Sequence, residues 1–380
     1  MVHAVSHPLP LPLTPDEAAR QDFVATLRSH ILNDMAAGLK RRWAERVAPA
    51  LPRPARDGVD VAQALAGQPY LAFYTAARVQ AQRMVWASVV GQVAREAGRL
   101  ETLELDGPAT LVLDPALPMP PTVTRDVHLM PGSYAGGEGA AAGAVYEHGL
   151  GVFSFGLMGA RLDDIGQSVA LWLTSRFPDF RPTAILDLGC AVGHQTLPWA
   201  EAYPAARITG LDVAAPCLRY AAKRANALGI AAHFLQADAR AVPLPDASQD
   251  LVFSSMFLHE LPEADIRAVY AECRRLLRPG GLMLHYELPP NGADMDPFDQ
   301  FYLDWDATFN CEPHYKAYRD LSPRQLAIEA GFAADRAFDA VLPSLAWYGE
   351  AAARAGAVGG DDHVGRLADG VKWYVHGAWA

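Results

Sequence analysis

Apolar positions recur at helical spacing from Pro15 to about Val47, where Thr14 can cap, Pro15 suits a first turn and Glu17 completes a capping box. A long helix is therefore predicted after a Pro-rich leader. A second helical run, from about Tyr70 to Gly98, carries Tyr70, Phe73, Tyr74, Met84 and Trp86, aromatic and sulfur positions that would pack a helical subdomain or form a dimer face. The period then breaks. TLELDGPATLVL reads as a hairpin turning at Asp106 and Gly107, and Pro115 to Pro121 punctuates an irregular portion. From Gly132 to Gly151 the chain holds seven glycines, preceded by His128 and containing Tyr134, Tyr146 and His148, and reads as a flexible connection or an active-site cover. The domain boundary is placed here, giving a mainly helical domain over residues 1–150 that dimerises, covers a site, or both, and a second domain over residues 151–380.

From about Arg161 onward, short β-rich runs (ILDLG, ITGLDV, HFLQAD, LVFSS and LMLHYE) alternate with amphipathic stretches. This alternation predicts an α/β domain with a parallel, doubly wound sheet and helices on both faces.

Composition narrows the function. With 380 residues, 51% hydrophobic and 20% charged, the chain can bury a large core. A formal charge of −11, with Lys and Arg concentrated in neither half, argues against a nucleic-acid partner. Cys190, Cys217, Cys273 and Cys311 are too dispersed for a metal knuckle and too few to staple the chain, which favours a reducing compartment. The leader lacks a basic start and an unbroken apolar stretch, and no later run could span a bilayer, so a cytoplasmic protein without membrane association is expected.

The chemistry is concentrated in Thr183 to Gln195, an apolar strand running into a turn of small residues and then a helix. Such a turn lets a ligand approach the backbone and offers it free N–H groups. Asp212 closes the next strand 23 residues after Gly189, where a carboxylate can accept both hydroxyls of a ribose. Asp187, beside the turn, would repel a pyrophosphate but attract an ammonium, which favours a nucleoside carrying an amino acid over a dinucleotide. The bland alternative is that the two aspartates cap helices and the glycines turn the chain.

At this point the sequence resembles the class I S-adenosylmethionine-dependent methyltransferases, in particular the small-molecule branch with the ubiquinone and menaquinone biosynthesis enzymes. Four features in order carry the resemblance: DLGCAVG, GLDV, QAD at Gln236 to Asp238, and ASQDLVFSSMFLHEL followed by RRLLRPGGLMLHYE. It implies a Rossmann-like sheet of seven strands, the last antiparallel, closed by ADRAFDAVLP and VKWYVHGAWA. It implies S-adenosylmethionine as cofactor, with Gly189, Ala191, Gly193 and Asp187 around its methionine part and Asp212 on the ribose. Val213 would pack on adenine, Asp238 would accept from the adenine amino group, and Ala239 and Ser254 would complete the site. The family commonly has glycine where Ala191 stands.

The substrate pocket of that family opens beyond the fourth strand, at Ser254, Ser255, Met256, His259 and Glu260. His259 is the candidate base or substrate anchor, since imidazole titrates near neutrality; a structural histidine is the alternative. The [ND]-P-P-[YF] motif of enzymes that methylate nucleobases or protein glutamine is replaced by SSMF. An insertion from Asn291 to Leu321 places Phe298, Phe301, Tyr302 and Trp305 at helical spacing among Asp294, Asp296, Asp299, Asp304 and Asp306. It reads either as a lid lending Tyr302, Trp305, Asn310, His314 or Tyr315 to the pocket, or as a solvated helix with its acids facing water. No calcium-loop spacing is present, so no metal is expected. With Tyr134, Tyr146 and Met256 added to the pocket, the expected reaction is methyl transfer to an oxygen, hydroxyl or carboxyl, of a small apolar or aromatic molecule. Carbon methylation is the second choice, and a cofactor-binding protein without transferase activity a different class.

Overall fold

The computed structural model describes residues 9, 11–103, 105–137, 139–292, 295–359 and 371–380. An eight-stranded sheet holds the chain together: β1 (Thr110–Val112), β2 (Ala184–Leu188), β3 (Arg207–Asp212), β4 (His233–Gln236), β5 (Gln249–Ser255), β6 (Leu277–Glu287), β7 (Ala337–Pro343) and β8 (Lys372–Trp379). Their spatial order is β1-β4-β3-β2-β5-β6-β8-β7, parallel except for β8, which runs antiparallel to both β6 and β7. All five residues of β2 are buried, as expected of a central strand covered on both faces. The chain leaves β2 toward β3 and β4 on one side and returns to β5 on the other. That reversal opens a crevice at the carboxyl end of β2, where open α/β sheets bind ligands.

The helical part follows the predicted pattern. Thr14 caps Pro15–His30 with both halves of a capping box, and π-helical turns at Ile31–Met35 and Trp43–Val47 carry the same helix on to Val47. Pro69–Thr102 is one continuous helix. Its Val85, Trp86 and Val89 share a buried cluster with Val24 and Val152, while Tyr74 joins Trp43, Phe298, Phe301, Tyr302 and Trp305 in another. The helix Pro297–Phe309 of the insertion thus packs against the N-terminal helices. No described helix is long and apolar enough to cross a membrane.

Three expectations are corrected. The sheet has eight strands rather than seven, because Thr110–Val112 adds a parallel edge strand beside β4. That strand is not half of a hairpin: Asn226 takes the turn instead, its Oδ1 accepting from the Ala109 N–H at 2.8 Å and its Nδ2 donating to the Leu105 carbonyl at 2.9 Å. Of the two readings of the glycine-rich stretch, the flexible connection is overturned over Ala141–Phe153, which is helical because Gly143 and Gly149 serve close packing. A Cβ on Gly143 would lie 2.4 Å from the Tyr220 side chain, and one on Gly149 would lie 2.1 Å from the Trp86 ring. Trp86 cannot yield, since its Nε1 donates to the His128 carbonyl at 2.7 Å. Gly149→Ala should therefore cost about 2 kcal/mol of stability through overpacking, read as a lowered urea midpoint. An unchanged midpoint would show that the two helices can separate freely.

Candidate active site

Beyond β2 the chain turns through three residues of positive φ, Gly189 at 69°, Ala191 at 45° and Gly193 at 76°. The Gly189 and Cys190 N–H groups donate to the Leu211 carbonyl at 2.8 and 3.0 Å, tying the turn to the end of β3. A Cβ on Gly189 would meet the Phe257 ring at 2.3 Å, so only glycine fits there. Ala191 occupies the left-handed region, where an L-residue is strained by roughly 1–2 kcal/mol. Ala191→Gly should accordingly raise stability by about 1 kcal/mol, a gain that a denaturation curve would reveal. A loss on that curve would mean the methyl makes a contact that outweighs the strain.

Three carboxylates converge on this turn. Asp212 accepts from the Ala191 N–H through Oδ2 and from the Ala214 N–H through Oδ1, both at 2.8 Å, and burial nevertheless raises its pKa. Asp187 is buried, with the Thr196 hydroxyl donating to Oδ2 at 2.5 Å and Oδ1 without a hydrogen-bond partner. Burial, with Asp212 adding to it and the Thr196 hydroxyl opposing, pushes its pKa up to about 7. Asp238 is gripped by Arg240, whose Nε lies 3.0 Å from Oδ1 and whose Nη1 also donates to Asp265 at 2.9 Å. The guanidinium holds the Asp238 pKa low.

These groups line one end of a cavity of about 540 Å³ that also receives Val213, Ala239 and His194. His259, Glu260, Glu287 and Met256 line it as well, together with His128, Tyr134, Tyr146 and Tyr302 from elsewhere in the chain. The register of β5 on β6 sets Ser255 opposite Tyr286, so Glu287, one residue on, lies beside the chain leaving β5. Glu287 Oε1 accepts from the Phe257 and Leu258 N–H groups at 2.8 and 2.6 Å, and Oε2 meets His259 Nδ1 at 2.6 Å. Both residues are 1% exposed. Burial opposes a charge on the imidazole, yet Glu287 prevails and raises the His259 pKa to about 9. His128, at φ 56°, bridges Glu260 through Nε2 at 3.2 Å and Glu312 through Nδ1 at 3.0 Å. Burial opposes its charge too, and the two carboxylates lift its pKa to about 10.

Of the sequence-predicted residues, Asp187, Gly189, Ala191, Asp212, Val213, Asp238, Ala239, Tyr134, Tyr146, Met256, His259 and Tyr302 line the cavity. Gly193 lies behind the turn, against Phe234. Ser254 points into the sheet, its hydroxyl 2.7 Å from His285 Nδ1. Trp305 stacks on Tyr74 with centroids 5.1 Å apart and donates to the Thr75 hydroxyl, so it builds the helical core instead of the pocket wall. Tyr315 packs edge-on against His259 at 5.2 Å, Asn310 reaches His128 at 3.0 Å, and His314 begins the Tyr315–Arg319 helix outside the cavity lining.

The acids of the insertion do not simply face water. Asp299 pairs with Lys40, Asp306 with Arg78 and Asp304 with Arg319, while Asp296 caps its own helix; Asp294 lies outside the described residues. Among the described residues no group of side chains forms a metal site. Sequence reading missed Glu287, Glu312 and Arg240. Glu287 carries the same signal as Asp212, a carboxylate closing a strand at the ligand end of the sheet, whereas the other two carry none.

A family model described as a methyltransferase domain matches residues 185–281. The chain is similar to a demethylmenaquinone methyltransferase of Thermus thermophilus, 38% identical over 114 residues, which are 30% of this chain and 51% of that one. It is also 38% identical over 106 residues to a malonyl-[acyl-carrier protein] O-methyltransferase of Xylella fastidiosa, covering 27% and 34% of the two chains. The chain thus spans about half the length of the first of these relatives and a third of the second. Among solved structures it resembles phosphoethanolamine N-methyltransferase 2 of Haemonchus contortus in complex with S-adenosyl-L-methionine, at 17% identity and a TM-score of 0.40 over 60% of this chain and 56% of that one. The buried, unpartnered Asp187 oxygen suits an ammonium, Asp212 suits a pair of hydroxyls, and the Gly189 turn leaves room that a side chain would fill. These residues fit S-adenosylmethionine, and residues 185–281 carry a methyltransferase domain.

Proposed function

We propose that the protein transfers a methyl group from S-adenosylmethionine to an oxygen, hydroxyl or carboxyl, of a small apolar or aromatic molecule, and that residues 1–150 help to cover the site. The observation that carries this reading is the buried His259–Glu287 pair, which shares one cavity with Asp187, Asp212 and Asp238. When bound, S-adenosylmethionine supplies an electrophilic methyl. Asp187 would hold its ammonium, Asp212 its ribose and Asp238 its adenine. Tyr134, Tyr146, Met256 and Tyr302, which line the cavity, would position the acceptor. The O-methyltransferase named among the similar proteins supports oxygen as the acceptor. Four cysteines free of disulfides support a cytoplasmic setting.

The role of His259 follows from its charge. With a pKa near 9 it is an imidazolium at neutral pH. A carboxylate acceptor needs no base and would be held by that charge. A hydroxyl acceptor must give its proton to the neutral ring. Production of S-adenosylhomocysteine should therefore climb toward about pH 9 with phenols and fall above it with carboxylic acids. Identical profiles for both acceptor classes, unaltered in His259→Ala, would remove His259 from the reaction.

A further inference from the structure

Arg28 is a charge whose presence the methyl-transfer machinery described so far does not explain. It stands on the first helix, is 2% exposed, and lines the same cavity as His259. Nε donates to the Phe153 carbonyl at 2.8 Å, Nη1 donates to Gln82 Oε1, and the guanidinium lies 3.8 Å above the Phe153 ring. Nη2 makes no hydrogen bond and the group meets no carboxylate among the described residues. Its neighbour Arg78, equally buried, takes Asp306 at 2.8 Å and shares Gln82 Oε1. Gln82 is fixed in turn by donating to the His128 carbonyl at 2.9 Å. Arg78 thus has a carboxylate in contact, whereas Arg28, which shares only Gln82 with it, has none in contact among the described residues.

Burying such a charge is costly unless an anion arrives to pair with it. Burial first, and Arg78 second, push the Arg28 pKa well below the usual arginine value, with Asp306 opposing them from a distance. The backbone oxygen and the amide hold two of the three guanidinium nitrogens in place, leaving Nη2 to donate to an anion. Trp86, Phe155 and Tyr302 line the same cavity, so the remainder of the ligand meets rings.

The geometry points to Arg28 as the anchor of a carboxylate on the acceptor, making the substrate an organic acid with an apolar or aromatic body that spans from Arg28 to the methylated oxygen near His259. This rests on the methyl-transfer reading for the far end of the molecule, but the anion site can be tested by itself. Calorimetry on the full chain, with and without S-adenosylhomocysteine, would compare phenylbutyrate with its neutral isostere phenylbutyramide. The acid should bind at least about tenfold more tightly than the amide, and Arg28→Met should reduce that preference to about twofold or less while S-adenosylhomocysteine affinity stays unchanged. Equal binding of the two probes, no binding of either, or a preference that survives in Arg28→Met would overturn the assignment. Should Arg28→Met fail to fold, a crystal of the wild-type protein with phenylbutyrate decides: its carboxylate against Arg28 supports the assignment, and a position elsewhere refutes it. A flat titration with S-adenosylhomocysteine would count against the methyl-transfer reading while leaving the comparison of acid and amide intact.

Discussion

Glu287→Gln should slow methyl transfer by about 100- to 1,000-fold while leaving S-adenosylhomocysteine affinity within about twofold of wild type. The carboxylate satisfies three donors: the Phe257 and Leu258 N–H groups on one oxygen and His259 Nδ1 on the other. An amide keeps an acceptor for only one of these sides. If its oxygen stays with the two backbone donors, its NH2 faces Nδ1 and forces the opposite tautomer on the ring. The imidazole then loses the partner that holds its charge, so its pKa should fall from about 9 toward or below the ordinary value as burial takes over. The stability consequence has a definite sign. A histidine whose pKa is raised on folding contributes most below its unfolded pKa, and that contribution fades as pH rises from about 6.5 through about 9. The variant should therefore lose most stability relative to wild type at pH 6 and least near pH 10. NMR titration of the ring and urea midpoints across that range measure both effects. A variant with wild-type turnover and a shifted imidazole pKa would make Glu287 a structural support for the turn and nothing more.

The difference between Asp212 and Glu287 shows what a sequence can disclose here. Asp187, Gly189 and Asp212 announce themselves because a strand, a turn and the next strand set their spacing locally, and the pairing of β2 with β3 then brings them together. His259 is visible by residue type, but its partner lies at the end of the next strand, and only the register of β5 on β6 joins them. His128 and Arg28 are further removed, for no local period leads from either to a cavity at the carboxyl end of the sheet. The Ala141–Phe153 helix was hidden for a different reason: glycine is an ambiguous letter. Flexibility and close approach both demand it, and only the Tyr220 and Trp86 side chains show that Gly143 and Gly149 serve the second purpose. Trp305 illustrates the converse, since helical spacing established that it shares a face with Tyr302 but not that Tyr74 would claim its ring.

Asp212→Asn should weaken S-adenosylhomocysteine about 100-fold, the equivalent of two charge-assisted hydrogen bonds of about 1.5 kcal/mol each. Because Asp212 also accepts from Ala191 and Ala214, part of any loss could come from a loosened turn rather than a lost ligand contact. A second variant and a second ligand separate the two. Asp187 is proposed to hold the amino-acid end, so Asp187→Asn should weaken S-adenosylhomocysteine but scarcely affect methylthioadenosine, which keeps ribose and adenine and lacks the amino acid. Asp212→Asn should weaken both ligands by the same factor. The Asp187 effect should also carry a proton signature: a carboxyl titrating near 7 must ionise to meet an ammonium, so wild-type binding should release protons and lose affinity as pH falls below about 7. Calorimetry in buffers of different ionisation enthalpy reads that release directly. If methylthioadenosine bound equally well to wild type and to Asp212→Asn, the carboxylate at the end of β3 would be only a cap on the turn. The ribose would then have to be held by another group, and the assignment of this end of the cavity would fail.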